Sequence, residues 1–356
     1  MKTLKMFLSS ELTLPAYTVW LLNTMSEYKG KQELFLKQSP EKLNALKESS
    51  IIESAVSSNR IEGIEIDKSR VGTVIFGDGV LADRNEEEVR GYKSALKWIH
   101  EEHDQIEINM ETILKLHEMI KPDMWDSGKL KEKDGEIIEK HPDGLITVRF
   151  VPVSATETPI YLENLISLYN QALKEKLLPR LIVLAAFNLD FLSIHPFRDG
   201  NGRVSRLLIL LMMYKSGYNA GKFVSVEKLI ERSKERYYET LKASSDNWHE
   251  GKHNPWIYID YLLSTLKELY AEFVNRFEVV SLLTSSDKKF GKELSKSSEK
   301  ILNLIFENRT VTISEISETL QISTRAVEKQ IRNLRESGKI KRVGGRKKGS
   351  WEIIEK

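Results

Sequence analysis

An all-α protein with one small β-hairpin flap, followed by a separate winged helix-turn-helix domain, is the fold class that this 356-residue sequence predicts. Three observations predict it. Apolar residues recur at three-to-four spacing through most of the first 290 positions, the period of helices with one buried face. A single Asp-Gly dipeptide, Asp143-Gly144, separates two β-prone arms, which is the signal of a hairpin. After a Ser/Lys-rich stretch the pattern restarts as three short helices and two strands.

The elements follow in order. The segments "PEKLNALKESSIIESAVSSNRI" (40–61), "NEEEVRGYKSALKWIHEEH" (85–103) and "NMETILKLHEMI" (109–120) are amphipathic helices. "GEIIEKHPDGLITVRFVPV" (135–153) is the hairpin, a flap in a helical protein. "PRLIVLAAFNLDFLSI" (179–194) and "VSRLLILLMMYKSG" (204–217) are apolar nearly all the way round, which places both at the centre of a bundle. In the last part, "SEKILNLIFEN", "TISEISETLQ" and "STRAVEKQIRNLRESG" are three helices, with Ser323 the N-cap of the third and Gly338 its stop. "KIKRVGGRKKGSWEIIEK" gives the two strands of the wing. The chain therefore divides into an N-terminal helical region at 1–110, a core at 111–275, a linker at 276–296 and a winged helix at 297–356.

Composition narrows the functions. No cysteine is present, so disulfides, thiolate zinc sites and cysteine nucleophiles are excluded. No run of 18 apolar residues exists to span a membrane, and the opening residues lack the apolar core of a secretory signal. A cytoplasmic protein is expected. The net charge is only +2, but residues 297–356 hold 13 Lys/Arg against 8 Asp/Glu. Arg325, Lys329, Arg332, Lys341, Arg342, Arg346, Lys347 and Lys348 there offer contacts to DNA phosphates, or a charged face for docking a protein.

The turn between the two central helices, "HPFRDGNGR" (195–203), is too polar for a turn between buried helices unless it does chemistry. Gly200 and Gly202 leave the first N–H groups of the second helix uncovered, which with the helix dipole favours an anion. Arg203 and Arg206 are three apart and share one face beside that N-terminus, so several phosphate charges have partners. Asp199 would repel bound phosphate unless a cation lies between, the usual way a carboxylate and phosphates hold Mg²⁺. His195 is the group here able to accept a proton near neutral pH. Together they describe phosphoryl or nucleotidyl transfer from a polyphosphate.

"HPFRDGNGRVSR" (195–206) resembles in full the signature of the Fic family, HxFx(D/E)GNGRxxR, and the likeness extends from about 50 to 260 through "EEEVRGYKSAL" and "ERYYETL". The resemblance implies a Fic-like helical bundle and transfer of AMP from ATP to a Ser, Thr or Tyr hydroxyl of a protein. It implies that His195 is the base, that Asp199 binds Mg²⁺, and that Gly200, Asn201 and Gly202 form an anion hole. Arg203 then takes the β-phosphate, Arg206 the γ-phosphate, and Phe197 anchors the loop. "SSNRIEG" is similar to the family's inhibitory pattern (S/T)xxxE(G/N), with Ser58, Glu62 and Gly63 in its fixed places. Glu62 reaching Arg206 would remove the γ-phosphate's partner and hold the enzyme off. The flap, at about 136–151, would hold the target by strand addition. Many relatives carry G-x-aromatic-Arg before the flap, where this chain has "GKLK" (128–131).

The same site in relatives transfers other phosphate-containing groups or removes AMP, and a nucleotide-sensing DNA-binding regulator is the reading from another class. Self-modification and a homo-oligomer are also consistent with the sequence. Other motifs are set aside. "VGTVIFGDGVLAD" imitates a dinucleotide fingerprint without any βαβ unit. "DGNGR" departs from a calcium loop at Arg203 and Leu210, and no P-loop motif is present.

Overall fold

The computed structural model describes residues 2–9, 12–38, 40–77, 79–122, 124–140, 144–176, 178–290, 298, 301–302, 304–305, 308–320, 322–336, 338–343 and 349–354. They fall into two compact units, Met1–Val274 and Asn275–Lys356. The break expected at 110/111 is absent, because the N-terminal helices pack into the same unit as the central ones.

The first unit centres on α8 (Arg180–Ile194) and α9 (Asn201–Lys215), a helix hairpin whose residues are buried on nearly every face. Being apolar all round, both must be wrapped by other helices. The wrapping is done by α1 (Thr3–Ser9), α2 (Ala16–Gln38), α3 (Pro40–Ile61), α4 (Val71–Phe76), α5 (Arg84–Glu102), α6 (Met110–Ile120), α7 (Thr158–Glu175), α10 (Val226–Arg232), α11 (Lys234–Ser245) and α12 (Trp256–Phe290). The segment that imitates a dinucleotide strand is the short helix α4.

Asp83 caps α5 by accepting from the Glu86 N–H, and Asn109 caps α6 by accepting from the Thr112 N–H at 2.8 Å. These two helices touch backbone to backbone at Gly91, where an added Cβ would lie 2.1 Å from the Met119 carbonyl oxygen. The inhibitory-pattern helix α3 is moored to α10 by Ser54 Oγ donating to Glu227 at 2.7 Å and by ion pairs Lys228–Glu53 and Arg60–Glu231 at 2.6 and 2.9 Å. Glu227 is fully buried and also accepts from the Tyr92 hydroxyl of α5 at 2.9 Å.

The flap is real and slightly shorter than its sequence bounds. β1 (Ile137–Lys140) pairs antiparallel with β2 (Ile146–Phe150), Ile138 opposite Val148, with an irregularity after Ile137. Asp143 lies outside the described residues, and Gly144 has φ +84°. The hairpin leans on the region of α11 through a Lys242–Glu139 ion pair, the Arg149 guanidinium over the Tyr238 ring, and a 2.8 Å bond from His249 Nε2 to the Val151 carbonyl.

Where a linker is expected from 276, α12 continues as helix to Phe290, and 291–296 lie outside the described residues. In the second unit, α13 (Ile313–Leu320), α14 (Thr324–Glu336), β3 (Ile340–Val343) and β4 (Ser350–Ile353) surround Leu302, Ile316, Val327, Ile331, Leu334 and Trp351. Ser323 accepts from the Ala326 N–H at 3.3 Å and Gly338 ends α14 at φ +68°. Arg325, Lys329 and Arg332 are exposed on α14, Lys341 pairs with Glu352 at 3.0 Å, and Arg342 stacks over Trp351. Arg346, Lys347 and Lys348 lie outside the described residues.

Candidate functional site

All the signature residues converge where α8 ends and α9 begins. His195 terminates α8 in the left-handed conformation, φ 53° and ψ 62°, with its N–H on the Phe191 carbonyl and Nδ1 3.3 Å from the Leu192 carbonyl oxygen. Burial and then the neighbouring Lys131 ammonium lower its pKa to about 4, so the ring is neutral at pH 7. Phe197 is buried with its ring stacked on His117 at 3.9 Å.

Asn201, expected in the anion hole, spends its side chain on the loop itself. Its Oδ1 accepts from the Phe197 N–H at 2.9 Å and its Nδ2 donates to the Phe197 carbonyl at 2.8 Å. What remains for an anion is backbone: Gly200, at φ +85°, precedes α9 with no side-chain cap, and Gly202 lies in its first turn. A Cβ on Gly202 would stand 2.2 Å from Glu62 Oε1, so Glu62 lies directly over that turn.

Both arginines are fully buried. Arg206 donates from Nε to Ser58 Oγ and from Nη2 to the Ser58 carbonyl, both at 2.9 Å, and pairs with Glu62 at 2.8 Å. Although burial disfavours its charge, Glu62 more than compensates and raises its pKa. Glu62 follows the last residue of α3, and Gly63 turns the chain away at φ +81°. The expected contact is therefore made within one chain. Arg203 donates to Glu88 and, at 3.3 Å, to Asn59, and its Nη2 is 3.5 Å from Asp199 Oδ2. Arg203 Nε and Arg206 Nη1 are buried with no hydrogen-bond partner among the described residues, two donors that suit a ligand rich in acceptors.

Asp199 accepts from the Gly200 N–H at 2.7 Å and pairs with Lys121 at 2.5 Å. Burial raises its pKa, but Lys121 and Arg203 outweigh that and leave it at about 2. Among the described residues no cluster of three or more His, Cys, Asp and Glu has the form of a metal site, and the cations beside Asp199, Lys121 and Arg203, are shared with Glu88. Two clefts meet at His195. The larger, about 710 Å³, runs under the flap past Glu62, Arg149, Gly202 and Tyr238, and the smaller, about 440 Å³, passes Trp125, Lys131 and Arg198.

Sequence reasoning missed Glu88, His117, Lys121 and Lys131. Glu88 and His117 sit in helices read for their apolar stripes, Lys121 just follows one, and only contacts from distant segments give them a part in the site. His117 accepts from the Gly128 N–H at Nδ1 and lies 3.0 Å from the Asp199 carbonyl oxygen at Nε2. That arrangement defines the neutral ring with its proton on Nε2, in keeping with the pKa that burial lowers to about 4.

Among known proteins, residues 107–213 match the model of the Fic/DOC family and residues 298–349 match an HTH domain. The chain is 28% identical over 240 residues to "Protein adenylyltransferase fic-1" of Caenorhabditis elegans, covering 65% of this chain and 42% of that one. The Caenorhabditis briggsae protein of the same name is 28% identical over 213 residues, with 51% and 39% covered. The chain thus spans less than half the length of these relatives. Of solved structures, a Fic family protein from Desulfovibrio desulfuricans G20 superposes with a TM-score of 0.61 at 20% identity, over 97% of this chain and 98% of that one. A Fic domain containing signaling protein from Bacteroides thetaiotaomicron reaches 0.60 at 21% identity, over 72% and 98%. With the signature residues assembled at one helix junction, residues 107–213 form a domain similar to the Fic/DOC family, followed at 298–349 by one similar to helix-turn-helix domains.

Proposed function

We propose that this protein transfers AMP from ATP to a Ser, Thr or Tyr hydroxyl of a protein, and that Glu62 holds it inactive. The carrying observation is that a neutral His195, the uncapped start of α9 and two buried arginines with unpartnered donors gather at one helix junction, where His195 and Gly202 line the larger cleft. Similarity to the fic-1 adenylyltransferases supports the reading.

In this mechanism the backbone N–H groups at Gly200 to Gly202 and the dipole of α9 receive phosphate oxygens. Arg203 holds the β-phosphate and Arg206 the γ-phosphate, each through charged hydrogen bonds. His195 takes the proton from the target hydroxyl, whose oxygen bonds to the α-phosphorus as the bond to pyrophosphate breaks. Asp199 is the residue that would hold Mg²⁺, and one carboxylate suffices when phosphate oxygens and water complete the shell. The ion would supply charge neutralisation between the phosphates. The exposed apolar edge of the flap at Ile138, Ile146 and Val148 fits an added strand of the target.

While Glu62 pairs with Arg206, a γ-phosphate lacks its partner and meets a carboxylate over Gly202. ATP is then not held for transfer. For the second unit, the basic face of α14 fits DNA phosphates, with protein docking as the alternative occupant.

The test is incubation of wild type, Glu62→Gly and Glu62→Gly/His195→Ala with α-³²P-ATP and Mg²⁺. Label on Glu62→Gly far above wild type, and a loss of about 10²- to 10⁴-fold on removing the base, is the expected result. Label only from γ-³²P-ATP would instead indicate phosphate transfer. No label from either would leave the domain a nucleotide sensor.

A further inference from the structure

The segment leading from α6 to the flap grips the His195 loop from outside the signature. Lys131 donates its backbone N–H to the Pro196 carbonyl at 2.9 Å and its ammonium to the Ile194 carbonyl at 3.0 Å. These are the carbonyls on either side of His195. Ile194 is the last residue of α8, so its carbonyl has no helical partner, and a cation there also suits the negative end of the helix. Lys131 is only 9% exposed, which leaves its stem packed and its ammonium with little freedom to look elsewhere.

The grip has something to hold. His195 is one of three non-glycine residues with positive φ among the described residues. Such a conformation is strained and persists only where its surroundings over-determine it. The rest of the loop is held otherwise: Asn201 ties down Phe197, and His117 lies on Phe197 and against the Asp199 carbonyl. Asn201 holds the N–H end of the Pro196–Phe197 peptide whose carbonyl Lys131 takes, and neither Asn201 nor His117 reaches the Ile194 carbonyl on the other side of His195.

We propose that Lys131 is the positioning residue of His195, fixing the left-handed turn from both sides so that the ring faces the cleft, and placing a positive charge beside it. This rests on the reading of His195 as the base. The charge has a chemical consequence. The charged groups around His195 are Lys131, Glu62 and Arg149, and after burial Lys131 is the largest influence on its depressed pKa. Asp134 is the charged group facing Lys131 in turn. A lysine here therefore helps keep the imidazole unprotonated and able to accept.

Lys131→Met keeps the stem and the backbone bond while removing the ammonium, and Lys131→Arg keeps a cation on a longer arm. In the Glu62→Gly background, Lys131→Met should lower the maximal rate of self-labelling from α-³²P-ATP by about 10- to 100-fold, the cost of a misplaced reacting group. The ATP concentration for half-maximal rate should stay within about twofold, and Lys131→Arg should recover most of the rate. In parallel, histidine-labelled protein followed by NMR should show the His195 midpoint rising by about half a pH unit or more in Lys131→Met. An unmoved His195 midpoint, or a loss confined to ATP half-saturation, overturns the proposal. A Glu62→Gly protein that takes no label defeats the AMP-transfer reading alone, because the His195 midpoint still decides the role of Lys131.

Discussion

Arg206 is the residue on which the proposed inhibition turns. Its guanidinium is fully buried, and Glu62 is the one acid paired with it among the described residues. Removing one partner of a buried pair leaves an uncompensated charge, at a cost of about 3–5 kcal/mol. Ser58, which accepts from two of its nitrogens, reduces that cost. Glu62→Gly should therefore melt below wild type without nucleotide, and ATP with Mg²⁺ should raise its melting temperature more than that of wild type. Thermal scans with and without ATP check both. His195 gives a second expectation. With its pKa near 4, the labelling rate of Glu62→Gly should hold level from pH 8 down to about 5 and fall only as pH approaches 4. An ordinary histidine base would lose activity from about pH 6.5. The grouping of the candidate residues was legible in the sequence because spacing brings His195, Asp199, Arg203 and Arg206 together within one helix junction. Lys131 and Lys121 were not, since nothing local marks a lysine whose partner is a carbonyl or carboxylate 63 or 78 positions away.

Among the elements, those with a strong apolar period came through best. The range read for α3, 40–61, coincides with the structure, and α5, α6, α8 and α9 differ by a few residues at most. The end of α12 did not, because "TSSDKK" offers weak helix formers and no apolar stripe, whereas the structure simply continues the preceding turn to Phe290. The crossing of α5 and α6 positions much of the site. α5 supplies Glu88, α6 supplies His117, and Lys121 follows directly after α6, so a change in their spacing moves the partners of Arg203 and Asp199 together. Gly91→Ala would press a methyl against the Met119 backbone, and backbone cannot yield as a side chain can. The expected cost is about 1–3 kcal/mol or more in stability, read by denaturant unfolding. Labelling by Glu62→Gly/Gly91→Ala should fall as well, although Gly91 touches no part of the cleft.

At the scale of the whole molecule, two buried histidines tie the stability of the first unit to pH. Burial lowers His100 to about 3 and His117 to about 4. In the unfolded chain both take up protons below about pH 6.5, while in the folded protein they stay neutral. Their contribution is therefore complete above pH 6.5 and is lost as pH falls from there toward 4. The melting temperature should drop between pH 7 and pH 5, and His100→Gln should flatten that drop. The inhibitory contact has a consequence of another kind. Glu62 and Arg206 pair within one chain, so on the proposed reading the competition against a γ-phosphate would be intramolecular and set by an effective concentration, in the millimolar range for a short tether. Such a brake would be insensitive to dilution, so specific activity should be the same at nanomolar and micromolar protein. On that reading a signal that starts the reaction acts on the Glu62–Arg206 contact, at the end of the helix that Ser54, Glu53 and Arg60 moor to α10, rather than on the abundance of the protein.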